Sequence, residues 1–433
     1  MTAPASGIPL PLDDAAARTL GARAQALLDQ LARVTDEPGQ VARTYLSPAH
    51  ARAIDLVGTW MRTRGLATRV DAVATLRGRR EADVAPATAG TLLLGSHIDT
   101  VLDAGKLDGC LGVVAALIVV EEIEARGVKL PFALEILAFG DEEGVRFPTA
   151  LSSSSAVTGT YRREWLEVRD RDGRRLADAL ADFGCDTNHI DQARIDPAGV
   201  LGWLELHIEQ GPLLEHWGLP LGVVTSIAGQ SRFSFTLEGQ AGHAGTVPMD
   251  LRRDALTGLA EIALTVERVG RQGTNGLVAT VGRIDVHPGA GNTVPGRVEA
   301  TLDIRAGADA PRLVAIDRIR HEAERIAERR GLRFELRRHI DVPTCPMSEA
   351  LQDAFARSVA SLGLDVRRLP SGAGHDAMAM ARAFPAAMLF VRSKDGISHN
   401  PKEWSSPEDI GLGIEALTRT VLDLAARHAG DAA

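Results

Sequence analysis

The sequence predicts an α/β protein in which one discontinuous sheet domain carries a second, inserted domain. Three observations support this. Up to about residue 226, apolar runs that end in polar, glycine-flanked loops alternate with helical periodicity, the pattern of a mostly parallel sheet covered by helices. From 227 to 340 alternating strands replace that pattern, and after 341 it resumes. The length, 433 residues, exceeds one ordinary core and leaves room for two or three domains.

Residues 13–33 and 49–65 repeat apolar side chains at helical spacing (Leu20, Ala24, Leu28 and Leu31; Ile54, Val57, Trp60 and Met61). An Asp pair opens the first helix and Gly65 closes the second. Residues 67–77 alternate and predict one strand. TLLLGS, from residue 91, is the short apolar run of a strand covered on both faces. VVAALIVVEEIEARG (113–127) predicts a buried helix stopped by Gly127, and LPFALEILAFG predicts a second buried strand. Residues 148–202 are less regular, with a serine run at 152–155 and a charged helical segment near 170–183. WLELHIEQG (203–211) alternates again, with Leu204, Leu206 and Ile208 on one side and Glu205, His207 and Glu209 on the other.

SRFSFTLEGQ, GLVATVGRIDVHP, GRVEATLDIRAG and LRFELRRHIDV then predict four strands, with helices at 250–269 and 311–330. That order, βαββαβ, is a split βαβ sandwich of ferredoxin-like type. Helix 349–363, strand 365–370, the glycine-rich SGAGHDA, strand PAAMLFV and helix 407–428 complete the main domain. The domains are therefore expected at 1–226 with 341–433, and at 227–340.

Composition is globular, at 45% apolar and 24% charged residues. A net charge of -9 without a basic stripe argues against nucleic acid and anionic membrane as partners. MTAPASGIPLPLDDAAART lacks the basic start and long apolar core of a secretory signal. No apolar window reaches the length of a membrane span. Cys110, Cys185 and Cys345 are few and far apart, which suits reduced thiols in the cytoplasm, and Cys110 is expected to be a small packing residue.

The chemistry gathers at strand ends, where α/β sheets usually bind ligands. His97, Asp99 and Asp108 follow the first buried strand, and Asp141, Glu142 and Glu143 follow the second. His97, Asp108, Glu143, His207 and His399 form a nitrogen and oxygen donor set without thiolate, suited first to zinc and otherwise to manganese or cobalt. Two ions need a shared carboxylate, and Asp108, flanked by Gly105 and Gly109, is the natural bridge. His97 and Asp99, two apart, point the same way on an extended segment, so Asp99 is cast as the group that fixes a ligating ring. In the adjacent Glu142 and Glu143, one carboxylate can bind metal while the other carries a proton from water to the leaving nitrogen. Phosphate-loop, dinucleotide and nucleophile-elbow motifs are absent from the sequence.

GSHIDTV, GKLDG, DEEGVRF, LHIEQGP, AGHAGTVPM, GNTVPG, SGAGHDA and ISHNPKE, in this order, resemble the carbamoylase branch of the di-zinc amidohydrolase and aminoacylase superfamily. That branch contains allantoate amidohydrolase, N-carbamoyl-L-amino-acid hydrolase and β-ureidopropionase. The resemblance spans about residues 90 to 405 and implies a zinc-exopeptidase-like catalytic domain. It puts two divalent ions per subunit on His97, Asp108, Glu143, His207 and His399, and the general base on Glu142. Asp99 keeps its supporting role. The substrate side falls on Gln210, His243, Asn292, Arg305, Gly374 and His375, and a homodimer built through the inserted lid domain is implied. One departure is visible: Ser153 and Ser154 stand where relatives usually have Gly-Ser.

The residues fit these roles on their own chemistry. Arg305 ends a strand, and its guanidinium can clamp a carboxylate. Asn292 offers a loop amide, and His243, among small residues, suits an oxyanion. The expected reaction is hydrolysis of the ureido group of a small carboxylate, allantoate first and an N-carbamoyl-L-amino acid or N-carbamoyl-β-alanine next, releasing ammonia and carbon dioxide. A peptidase or aminoacylase of the superfamily, or a non-catalytic binding protein, are the competing classes.

Overall fold

The computed structural model describes residues 13–83 and 90–431. Residues 1–12 of the N-terminal stretch discussed above lie outside the described residues. The chain divides into two compact units. The first runs up to Thr225 and resumes at Met347–Arg368 and from His375 on; the second comprises Ser226–Pro346 and Leu369–Gly374.

In the first unit the strands lie side by side in the order Ala67–Val70, Leu76–Arg80, Ala133–Phe139, Thr91–His97, Val200–Ile208, Ala386–Val391, Leu221–Ile227. The four inner strands, from Ala133–Phe139 to Ala386–Val391, are parallel; the outer ones pair antiparallel. Every residue of Ala133–Phe139 and Ala386–Val391 is buried, as a sheet covered on both faces requires. The helix Cys110–Ala125 is apolar around nearly its whole circumference. It packs on Thr91–His97 and Val200–Ile208 and beneath the helices Asp14–Ala32 and Pro407–Asp431. Asp13 caps the helix Asp14–Ala32 through the Ala16 N–H, and Ser47 caps Pro48–Thr63, with proline in its first turn.

His97 pairs with Phe139, and Ile208 with Val391, so the segments that follow all four parallel strands leave the sheet at one edge. That edge carries the candidate site residues His97, Asp141, Glu142, Glu143 and His207.

The single strand expected at 67–77 is a hairpin instead, Ala67–Val70 and Leu76–Arg80. The buried Asp71 explains the break: its Oδ1 accepts the N–H groups of Val73 and Thr75, and Ala74 turns at φ 60°. Leu221–Ile227 is a strand that the periodicity did not reveal.

The second unit orders its elements as Gly229–Glu238, helix Ala255–Arg271, Val278–His287, Arg297–Ala306, helix Asp309–Arg329, Arg333–Val342. The four strands are antiparallel, in the spatial order Arg333–Val342, Gly229–Glu238, Arg297–Ala306, Val278–His287. Phe233, Phe235, Leu237, Val298, Leu302 and Ile304 form the inner face, packed with Leu259, Ile262, Val266, Ile319 and Ile326 of the two helices. The expected helix at 250–269 begins later, at Ala255, because Asp254 caps it by accepting the N–H groups of Leu256 and Thr257.

Candidate metal centre and active site

His97 ends its strand with Nδ1 3.0 Å from the Asp99 carbonyl oxygen. A carbonyl only accepts, so Nδ1 carries a hydrogen, and Nε2 faces Asp108 Oδ1, 3.7 Å away. His207 is built alike: Nδ1 donates to the Ile208 carbonyl at 2.9 Å, and Nε2 lies 3.2 Å from Asp108 Oδ1. His399, at φ 53°, puts Nε2 3.1 Å from Asp108 Oδ2 and 3.6 Å from Glu143 Oε2. For His97 and His207, then, Nε2 faces a carboxylate oxygen, an arrangement that either a proton or a divalent cation between the two completes.

The ligand atoms fall into groups whose members lie within 4.8 Å of one another: His97, Asp108 and His207; and Asp108, Glu143 and His399. Asp108 is common to both. Glu142 joins only His97 and Glu143, without Asp108; Glu205, His207 and His375 make a further group. Glu143 Oε1 is buried and has no hydrogen-bond partner among the described residues, as expected of a carboxylate oxygen shaped for a cation. The donor set thus fits divalent metal.

Without a metal, the same contacts favour charged histidines: against burial, Asp108 and Asp99 raise His97 well above its ordinary value, and Asp108 raises His207. Burial acts to raise Asp108, but His207, His399 and His97 outweigh it and hold the carboxyl well below its ordinary value. Burial pushes Glu142 well above its ordinary range against the pull of His97, and raises Glu143 to about 7. Asp108 lifts His399 to about 9. Burial, with His207 close by, drives His375 well below its ordinary value.

Asp99 acts through two different groups. Its carbonyl is nearer the His97 ring than its carboxylate, whose Oδ1 is 3.5 Å away. The carboxylate instead accepts the backbone N–H groups of Glu142 and Glu143, each at 3.3 Å. One residue therefore orients a candidate ligand and shapes the acidic loop. The serine run opens a short buried helix, Ser152–Val157, that braces this loop. Ser152 and Thr149 donate to the buried Asp141 carboxylate, and Ser153 donates to the Gly140 carbonyl.

Glu403 and Ser398 also support Asp108, and neither is among the residues expected at the site. Glu403 accepts the N–H groups of Leu107 and Asp108 at 2.8 and 3.1 Å, and its Oε2 lies 2.8 Å from the Ser398 hydroxyl. Its signal was available, four residues after His399 in ISHNPKE. Ser398 Oγ lies 3.0 Å from Asp108 Oδ2. Gly109, at φ 65°, has no room for a Cβ, which would sit 2.4 Å from the His97 ring.

Gln210, expected on the substrate side, donates from Nε2 to Asp108 Oδ2 at 2.8 Å. His375 is buried with its ring centroid 4.4 Å from that of His207. His243, Asn292, Arg305 and Gly374 belong to the second unit. There Thr293 pairs with His243, which sets Asn292 beside the histidine loop, and the Gly245 N–H donates to His243 Nδ1. Arg305 is engaged by Asp303 at 3.0 Å and by the Gly372 carbonyl at 3.1 Å. Cys110 is buried and receives a hydrogen bond from Arg43, in line with a packing role.

Residues 93–423 match peptidase family M20/M25/M40, to which the chain belongs. It is a hydrolase of that family, and the relatives it resembles are named N-carbamoyl-L-amino acid amidohydrolases and allantoate deiminases. The chain is 41% identical to an N-carbamoyl-L-amino acid amidohydrolase of Geobacillus stearothermophilus over 94% of its own length and 98% of the relative's. It is 40% identical to an allantoate deiminase of Arabidopsis thaliana, over 90% and 79%. Among solved structures, a hydantoinase/carbamoylase family amidase from Burkholderia ambifaria superimposes with TM-score 0.87 at 34% identity, covering 96% of this chain and 98% of the other. Among the described residues no helix is long and apolar enough to cross a membrane.

Proposed function

We propose that this protein hydrolyses the ureido group of a small carboxylate, with allantoate as first substrate and N-carbamoyl-L-amino acids next. The observation that carries the reading is the Asp108 carboxylate common to two donor groups, with Glu142 outside both. His97, Asp108, His207, Glu143 and His399 would hold two divalent ions, zinc first, with manganese or cobalt as alternatives. Such ions polarise a carbonyl oxygen and make water acidic near neutral pH. Glu142 takes the proton of the attacking water and delivers it to the departing nitrogen. Asp99 keeps the Glu142 backbone in register with that task. The inserted unit, a ferredoxin-like lid through which two copies pair, supplies His243 for the oxyanion and Asn292 and Arg305 for the carboxylate. For this Arg305 exchanges its Asp303 contact for the substrate. Gln210, Gly374 and His375 complete the substrate side, and the three scattered cysteines favour a cytoplasmic setting.

The test is ammonia release from allantoate, N-carbamoyl-L-amino acids, N-carbamoyl-β-alanine and a dipeptide, measured side by side on metal-loaded protein. Turnover of the dipeptide above all three ureido classes would overturn the reading.

A further inference from the structure

The hairpin at the sheet edge carries a cluster that the catalytic reading does not use. Arg69 and Arg77 stand directly opposite each other on its two strands, a like-charge pairing that destabilises a ladder. Arg77 and Arg79 share a face with Glu135 of the next strand. Arg77 Nε donates to Glu135 Oε1 at 2.7 Å, and Arg79 Nη1 lies 3.4 Å from Oε2. Arg77 and Glu135 are 4% and 5% exposed, so this pair forms a floor. Arg194 enters from another segment, its stem lying across Gly159, where a Cβ would meet Arg194 Cδ at 2.8 Å. Arg69, Arg77, Arg79, Arg194 and Glu135 line one cavity of about 380 Å³.

That cavity is short of negative charge. Glu135 is shared by two arginines, and Arg79 draws its second partner from Glu81. Among the described residues the side chains of Arg69 and Arg194 make no hydrogen bond or ion pair. Burial and the neighbouring Arg77 and Arg79 lower the Arg69 pKa from its ordinary value against the pull of Glu135 and Asp71. Glu135 precedes Phe139 by four residues, so the cavity lies roughly 13 Å along the strand from the catalytic edge.

We propose that this cavity binds a phosphate-bearing small molecule, a phosphate or diphosphate ester, gripped by Arg69 and Arg194 beside Arg79 and over the Arg77–Glu135 floor. A phosphate group presents three oxygens and about two charges and can engage several guanidinium forks at once, where a carboxylate satisfies one. The volume falls in the range of small-molecule sites, roughly 300–1,000 Å³.

The test titrates inorganic phosphate, adenosine 5′-monophosphate and succinate into the metal-loaded protein at fixed salt, following heat and melting temperature. In the wild type a phosphate-binding event is expected that Arg69→Ala/Arg194→Ala weakens at least tenfold. Arg69→Lys/Arg194→Lys should retain an intermediate affinity and guards against a folding artefact. Without added phosphate, kcat/KM on the ureido substrate should match wild type in both variants. Equal phosphate affinity in wild type and the alanine variant, no binding in the wild type, or succinate bound as tightly as the nucleotide would each overturn the assignment.

Discussion

Replacing Glu142 with Gln separates proton transfer from metal binding, because the geometry divides the two neighbouring glutamates. Glu143 shares a donor group with Asp108 and His399; Glu142 does not. The hydrogen bond that anchors Glu142 runs from its backbone N–H to Asp99, and the substitution leaves it intact. Its Oε2 lies 3.9 Å from His97 Nε2, beyond hydrogen-bond reach, so no side-chain bond is lost. Glu142→Gln should therefore keep its fold and its metal while losing the base. Loss of a positioned general base costs about 10²–10⁴ in turnover, or roughly 3–5.5 kcal/mol of barrier. Glu143→Gln should do the reverse first, shedding metal from the Asp108–His399 side before activity per bound ion falls. Metal per chain by plasma mass spectrometry and kcat from ammonia release, on the same preparations, make the assay. If Glu142→Gln loses metal as Glu143→Gln does, or keeps more than about a tenth of wild-type kcat, the division of roles is wrong.

Exhaustive chelation should abolish activity, and zinc, manganese or cobalt should restore it at about two ions per chain, read by titration against recovered rate. Glu403→Gln should weaken metal binding by about 10–100-fold with little loss of kcat at saturating metal, since Glu403 holds the backbone of Asp108 rather than the ions; competition with a chelator measures this. Arg305→Ala should lower kcat/KM by about 30-fold or more for the carboxylate substrate, Arg305→Lys should recover part, and an amide analogue should be spared. His50 is fully buried, and burial lowers its pKa to about 4 from an ordinary 6.5. The unfolded chain then binds the extra proton between those values, so stability is complete above pH 6.5 and falls by about 3 kcal/mol as pH drops towards 4. Urea midpoints across that window should slope less in His50→Asn.

Much of the candidate site was legible because it is spelled at strand ends. An apolar run that stops in glycine and acid announces both a buried strand and its functional edge, as in LLLGSHID and LAFGDEEG. His207 was legible for another reason: it sits on the polar side of an alternating strand whose other side is core. The hairpin at 67–80 was not legible, since Asp71 and Thr75 keep the alternation while Asp71 folds the backbone over. Period-two reasoning has no signal for a turn whose own side chain satisfies it.

The supporting bonds were the least legible part, and the reason is physical. Ligand residues are constrained in type, because only a few side chains coordinate metal, so their identity shows in one dimension. The groups that hold them are constrained in position: the Asp99 and Ile208 carbonyls that fix two imidazole tautomers could belong to any residue. Those carbonyls nevertheless decide which ring nitrogen faces Asp108, and with it whether five polar side chains bind a cation or merely hydrogen-bond. A sequence therefore names the atoms that do chemistry sooner than the atoms that aim them, and substitutions that shift backbone at residues 99 or 208 should injure the site as surely as loss of a ligand.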